Sequence, residues 1–138
     1  MKELTIKQVQ CLAHRLAQEK LQWSEPIPDF DTRFIGKLES CLKTPFQSFA
    51  NKSLYPRLED KAAILFYLMI KNHPFQNGNK RIAVTSLLTF LWINSKWLRI
   101  LPDDLYQIAV TVAESKPFAK EGMVIVIRDM IKKHLEGL

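Results

Sequence analysis

The run His73-Pro74-Phe75-Gln76-Asn77-Gly78-Asn79-Lys80-Arg81 brings together an imidazole, amide side chains, a glycine and two cations. An imidazole exchanges protons near neutral pH and can take one from an incoming hydroxyl, an effect typically worth ~10²- to 10⁴-fold in rate. The apolar stretch Ala62-Ala-Ile-Leu-Phe-Tyr-Leu-Met-Ile70 stands just before this run, so one helix ends at the run and another can begin within it. Unpaired backbone N–H groups at a helix start bind anions. Lys80 and Arg81 in that first turn oppose the helix dipole by roughly a few tenths of a kcal/mol each unless something negative, such as a phosphate, neutralises them. The chemistry implied is transfer of a phosphate-containing group to a protein or small-molecule hydroxyl. With glycines only at 36, 78, 122 and 137, the chain can hold neither a Walker loop nor a dinucleotide Gly-x-Gly-x-x-Gly.

The elements that must position these residues read as helices. Ile6, Val9, Leu12, Ala13, Leu16 and Ala17 recur at helical spacing, predicting a helix over about 5–21 with these residues as its apolar face. The stretch from Trp23 to Pro28, with two prolines, breaks the pattern. Phe34, Ile35, Leu38, Cys41 and Leu42 predict a short second helix closed by Pro45. Residues 46–56 show neither helical period nor strict alternation, and are expected to form a loop or a small hairpin. Leu58 to Asn72 reads as a helix buried on most sides, with Glu59 and Asp60 near its N-terminus. Pro74 and Gly78 predict a tight turn over 73–78. The next helix should carry Ile82, Ala83, Leu87, Phe90 and Leu91 inward to about Asn94, with Ser95-Lys96-Trp97 as a connection. Pro102-Asp103-Asp104 marks another helix start. Met123 to Leu135 could pass for a strand at first, but its length and the spacing of Val124, Ile127, Met130, Ile131 and Leu135 favour a helix. The expected fold class is all-α, a helical bundle with one small β-hairpin, and residues 1–138 are expected to form a single domain.

The chain's 138 residues can bury a sufficient core without metal or disulfide. No stretch approaches the ~20 apolar residues of a membrane span, and Met1-Lys2-Glu3-Leu4 lacks the build of a signal peptide, so a cytoplasmic protein is expected. Cys11 and Cys41 are accordingly expected to be buried free thiols. Cys11 and His14 have metal-compatible spacing, but no second Cys/His pair completes a tetrahedral set. The net charge of +6 suits a negatively charged partner, yet it is scattered along the chain. No basic arm or aromatic platform signals DNA or RNA, and salt-dependent nucleic-acid binding is the weakest of the functional readings.

The same nine residues resemble the Fic/Doc proteins, whose motif is His-x-Phe-x-Asp/Glu-Gly/Ala-Asn-x-Arg, and within them the death-on-curing (Doc) toxins. Leu54-Tyr-Pro-Arg-Leu-Glu-Asp-Lys-Ala-Ala63 and Ile82-Ala-Val-Thr-Ser-Leu-Leu88 are similar to the Doc branch as well, extending the resemblance over roughly residues 30 to 135. The resemblance implies a Fic/Doc-like helical bundle in which the hairpin at 46–55 is a flap that pairs with an extended target segment. It implies that His73 is the general base and that Phe75 is the buried anchor of the loop. Gly78, Asn79 and Lys80 would be the nest for the nucleotide phosphates, with Arg81 also on them. The adenylylating branch usually has Gly after the motif Asn and a second Arg three residues past the first; here these positions are Lys80 and Val84. That combination is similar to the Doc branch. It implies a Fic/Doc-type protein kinase, in which Lys80 and Arg81 act with His73 to phosphorylate, from ATP, a cytosolic target such as the translation factor elongation factor Tu.

Asn77 departs from the motif, because the family has there the Asp or Glu that holds Mg²⁺. A neutral amide is a weaker ligand for a hard cation, which predicts lower metal affinity and a lower rate. Three readings follow: a phosphorylating toxin, an adenylyltransferase, and an impaired Fic fold that works by binding. The self-silencing Ser/Thr-x-x-x-Glu-Gly/Asn helix of some Fic proteins is missing, since Lys132 stands where Ser or Thr belongs ahead of Glu136-Gly137. A separate antitoxin protein is the expected restraint.

Overall fold

A computed structural model describes residues 1–21 and 25–138. Thr5 starts the first helix: its hydroxyl accepts from Gln8 N at 3.1 Å while the Gln8 side chain accepts from Thr5 N at 3.0 Å, a reciprocal cap. Helix α1 runs over Ile6–Gln8, continues as a π-helix over Val9–His14 and regains α geometry over Arg15–Lys20. The wider π turn changes which residues point inward. Val9, Ala13, His14 and Ala17 are buried, whereas Leu12 and Leu16 are each 40% exposed, so the regular 3.6-residue face expected from the sequence is corrected at those two leucines. Cys11 is exposed, contrary to expectation, for the same reason. Cys41 is buried, and desolvation pushes its thiol up to about 11.

The irregular segment after α1 falls partly outside the described residues, Trp23 among them; from residue 25 to 29 the chain is neither helix nor strand. A 3₁₀ turn, Phe30–Thr32, leads to α2, Ile35–Lys43. Leu38, Cys41 and Leu42 face the core, while Phe34 and Ile35 at its start stay about half exposed. Pro45 lies in a further 3₁₀ turn that ends this region. Strands β1, Ser48–Phe49, and β2, Lys52–Ser53, then pair antiparallel around left-handed Ala50 and Asn51. This is the small hairpin foreseen at 46–56.

The centre of the molecule is α3, Leu58–Lys71, and α4, Asn79–Ile93. Every residue from Lys61 to Ile70 and from Arg81 to Leu91 is buried, which only helices covered on most sides can show. Asp60 accepts from Arg57 N at 3.2 Å and fixes the start of α3. Its far end is held where Lys71 Nζ donates to Ser115 O at 2.7 Å. Helix α3 packs chiefly on α4 and on α6, Lys120–His134, and α4 also packs on α5, Pro102–Glu114. Thr85 Oγ1 donates to Ala13 O at 2.7 Å, tying α1 to the middle of α4.

One element was not foreseen. Strand β3, Lys96–Leu98, pairs antiparallel with β4, Leu135–Gly137, so the expected connection is a strand and Leu135 leaves the last helix. Each run is three residues long and pairs across most of the second half of the chain, a partnership that no local pattern announces. Glu136 sits in β4 beside Arg99 at 3.5 Å. Among the described residues the fold is α-helical with two minimal sheets, and no helix is long and apolar enough to cross a membrane.

Candidate active site

The short link between α3 and α4 shapes the site. Phe75 is 2% exposed and nests against the rings of His14 and Phe30, with centroids 5.4 and 5.9 Å away. Burying such a ring is worth roughly 1.5–3 kcal/mol and pins the middle of the link to the core. The side chain of Asn79, the first residue of α4, brackets Phe75: its Oδ1 accepts from Phe75 N and its Nδ2 donates to Phe75 O, both at 2.9 Å. Pro74 O accepts from Phe34 N at 2.8 Å, which anchors the link to the start of α2. Between these anchors His73 is left exposed and in left-handed backbone, φ 48°, a conformation uncommon outside glycine.

Gly78 closes the link. Its φ is 81°, and a Cβ there would lie 2.8 Å from Ile27 Cγ1, so both backbone and neighbour require glycine. The close approach of Ile27 matters because it belongs to a strap over the site, residues 25–28. Gln18 Nε2 donates to Ile27 O at 3.0 Å, and Arg81 Nη1 donates to Glu25 O at 2.6 Å and to Leu21 O at 3.3 Å. Asn77 Nδ2 donates to Glu25 Oε2 at 2.8 Å, and Asn77 Oδ1 accepts from Gly78 N at 2.8 Å.

His73, Asn77, Gly78, Asn79, Lys80 and Arg81, the residues singled out in the sequence, all line one polar cavity of about 280 Å³ at the N-terminus of α4. The structure thus brings them together, with two adjustments to the expected division of labour. Asn79 spends both ends of its amide on the loop backbone at Phe75. Arg81 is 5% exposed, and one of its nitrogens serves the carbonyls of Leu21, at the end of α1, and of Glu25 in the strap. Lys80 is half-buried at the same mouth. Gly78 in αL backbone and the start of α4 shape one wall of this cavity, and a helix N-terminus with a cation in its first turn is an arrangement that suits an anion.

Sequence reasoning missed Glu25, Tyr106 and Ala113, which line the same cavity from the strap and from α5. No local signal marks them, because strap and helix reach the cavity only through the tertiary fold. His14, whose spacing to Cys11 finds no second Cys/His pair to complete a metal set, is a core residue whose pKa is lowered by burial, the Pro28 carbonyl and Asp29 pulling less strongly the other way. Among the described residues no three His, Cys, Asp or Glu side chains converge as a ready metal site. A second, apolar groove of about 390 Å³ lies elsewhere, between α1, the end of α4 and β3, lined by Leu12, Leu16, Trp92 and Trp97.

Comparison with known proteins agrees with the motif. Residues 3–91 match the model of the Fic/DOC family, beginning earlier and ending earlier than the resemblance read from the residues. A "Toxin Doc" from Mycolicibacterium smegmatis (strain ATCC 700084 / mc(2)155) is 38% identical over 66 residues, 48% of this chain and 51% of that protein. The match thus spans about half the length of the relative. No solved structure gives a match. The family match covers well over half of the chain, and with the likeness to a Doc toxin it leads to one conclusion: the chain belongs to the Fic/DOC family, on its Doc side.

Proposed function

We propose that this protein is a Doc-like toxin that transfers phosphate from ATP to a hydroxyl of a cytosolic protein, a translation factor such as elongation factor Tu being the leading candidate. A separate antitoxin would restrain it. The observation that carries the reading is the single cavity lined by His73, Lys80 and Arg81 at the start of α4. A second observation favours phosphoryl over adenylyl transfer. Val84, at the position where adenylylating members have another arginine, is 0% exposed and belongs to the core.

In this reading the phosphates of ATP lie on the backbone N–H groups of the first turn of α4, with Lys80 and Arg81 balancing their charge. His73 accepts the proton of the target hydroxyl as its oxygen forms a bond to the γ-phosphorus; the bond to the β–γ bridging oxygen breaks and ADP leaves. The hairpin β1–β2 would hold an extended segment of the target by adding a strand to its edge. Glu25 brings a carboxylate, the hard oxygen donor that Mg²⁺ takes together with substrate phosphates, to the edge of the cavity, where the Asn77 amide nitrogen donates to it. When bound, Mg²⁺ neutralises charge on the phosphates. A non-catalytic binding role is the second reading, favoured by the neutral amide of Asn77 where the family has an acid.

The test is incubation of the chain with Mg²⁺, elongation factor Tu or a cell lysate, and ATP labelled in either the α or the γ position. Transfer of the γ label, cut by ~10²- to 10⁴-fold in His73→Ala, is the expected result. Transfer of the α label would replace phosphorylation by adenylylation. No transfer of either label by this chain, with transfer by Asn77→Asp, would leave the binding role.

A further inference from the structure

Asn77 looks like a lost metal ligand only when residue 77 is considered alone. Its amide nitrogen lies 2.8 Å from Glu25 Oε2, and Glu25 is held beside it from the other direction by its own backbone oxygen, 2.6 Å from Arg81 Nη1. A carboxylate therefore stands at the position-77 corner of the cavity after all, carried by the strap instead of the loop. The two residues are chemically matched. An amide can donate to Glu25, whereas the Asp or Glu of the family motif would set two carboxylates against each other at hydrogen-bond distance, where both cannot ionise freely. A negative charge thus stands at this corner, attached to the chain 52 positions away from residue 77.

We infer that Glu25 is the acidic ligand of the divalent cation in this protein, held beside the nucleotide phosphates by the Asn77 amide nitrogen. Mg²⁺ is commonly held by one or two carboxylates plus substrate phosphates, so a single strap carboxylate is enough. The assignment rests on the nucleotide-transfer reading of the same cavity. It also ties cation binding to the strap, because Glu25 reaches the site only when Gln18, Asn77 and Arg81 hold residues 25–28 in place.

The test measures binding rather than turnover. Mn²⁺, which reports on Mg²⁺ sites by electron paramagnetic resonance, is titrated into the full chain with a non-hydrolysable ATP analogue, and analogue binding is measured separately in chelator. Glu25→Gln keeps the shape and removes the charge; it is expected to weaken Mn²⁺ at least about tenfold while leaving analogue affinity in chelator unchanged. Asn77→Asp on the Glu25→Gln background should restore Mn²⁺ affinity, the acid having returned to the loop. Unchanged Mn²⁺ affinity in Glu25→Gln overturns the assignment and leaves the proposed function standing. So does equal loss of the analogue with and without metal, which would make Glu25 a structural residue only. Failure of the unaltered chain to bind the analogue under any condition overturns both.

Discussion

Residues 73–78 and residues 48–53 both reverse the chain with left-handed backbone: His73 and Gly78 at φ 48° and 81°, Ala50 and Asn51 at 51° and 63°. The first turn is anchored in the core. Phe75 is buried between His14 and Phe30, Asn79 brackets its backbone, and Gly78 lies against Ile27. The second turn is exposed throughout β1 and β2, with Phe49 at 77%, and is held mainly at its base. There Lys61, buried in α3, donates from Nζ to Tyr55 O at 2.6 Å, to Pro45 O at 3.1 Å and to Ser53 Oγ at 3.3 Å, and lies 4.7 Å from the Phe46 ring centre. The cavity-lining turn is tied to packing, whereas the exposed hairpin leaves its edge to solvent and is held at its base by the Lys61 cation.

The sharpest way to break this contrast is to remove the anchor of the loop. Phe75→Ala is expected to cost about 3–5 kcal/mol, visible as a lower midpoint in urea denaturation, since its cavity would open among His14 and Phe30. A cost below about 1 kcal/mol would mean that the loop is not held by the core. Lys61→Met tests the other side. It leaves the Pro45 and Tyr55 carbonyls without their donor, for a global cost of about 1–2 kcal/mol, and should raise amide hydrogen exchange over 46–55 while leaving 73–81 protected. Equal changes in both segments would erase the distinction.

The smallest effect is one of pH. Burial lowers the His14 pKa below its ordinary value of 6.5, so the unfolded chain binds the extra proton first as pH falls. The His14 contribution is therefore constant above about pH 6.5, and stability declines below it until the folded-state pKa is reached. Thermal melts from pH 7.5 to 5 should show this slope, and His14→Phe should flatten it. Because His14 supports Phe75, the exchange of residues 73–78 should follow the same slope, and that of the hairpin should not.

Much of the helical layout was legible because it is written in local periodicity. The apolar run 62–70 can only be a core helix, and Pro74 with Gly78 breaks the chain between two helices wherever it lies. The exceptions share a cause. Leu12 and Leu16 turn outward because a π segment shifts their phase, and β3 and β4 pair across α5 and α6; neither is visible in a window of a few residues. The nine-residue run from His73 to Arg81 was legible as a site because chemistry and spacing coincide within it. Its complement was not.

Local order thus accounts for the loop 73–78, the helix start that follows it and the family to which they belong, since each depends on residues close in the chain. The partner of Asn77 is a different matter. Glu25 lies 52 positions away and meets it only because Gln18 and Arg81 draw the strap across the start of α4. Hydrogen bonds between distant segments have no period or spacing by which to be read, so the charge that Asn77 lacks becomes visible only once the chain is folded.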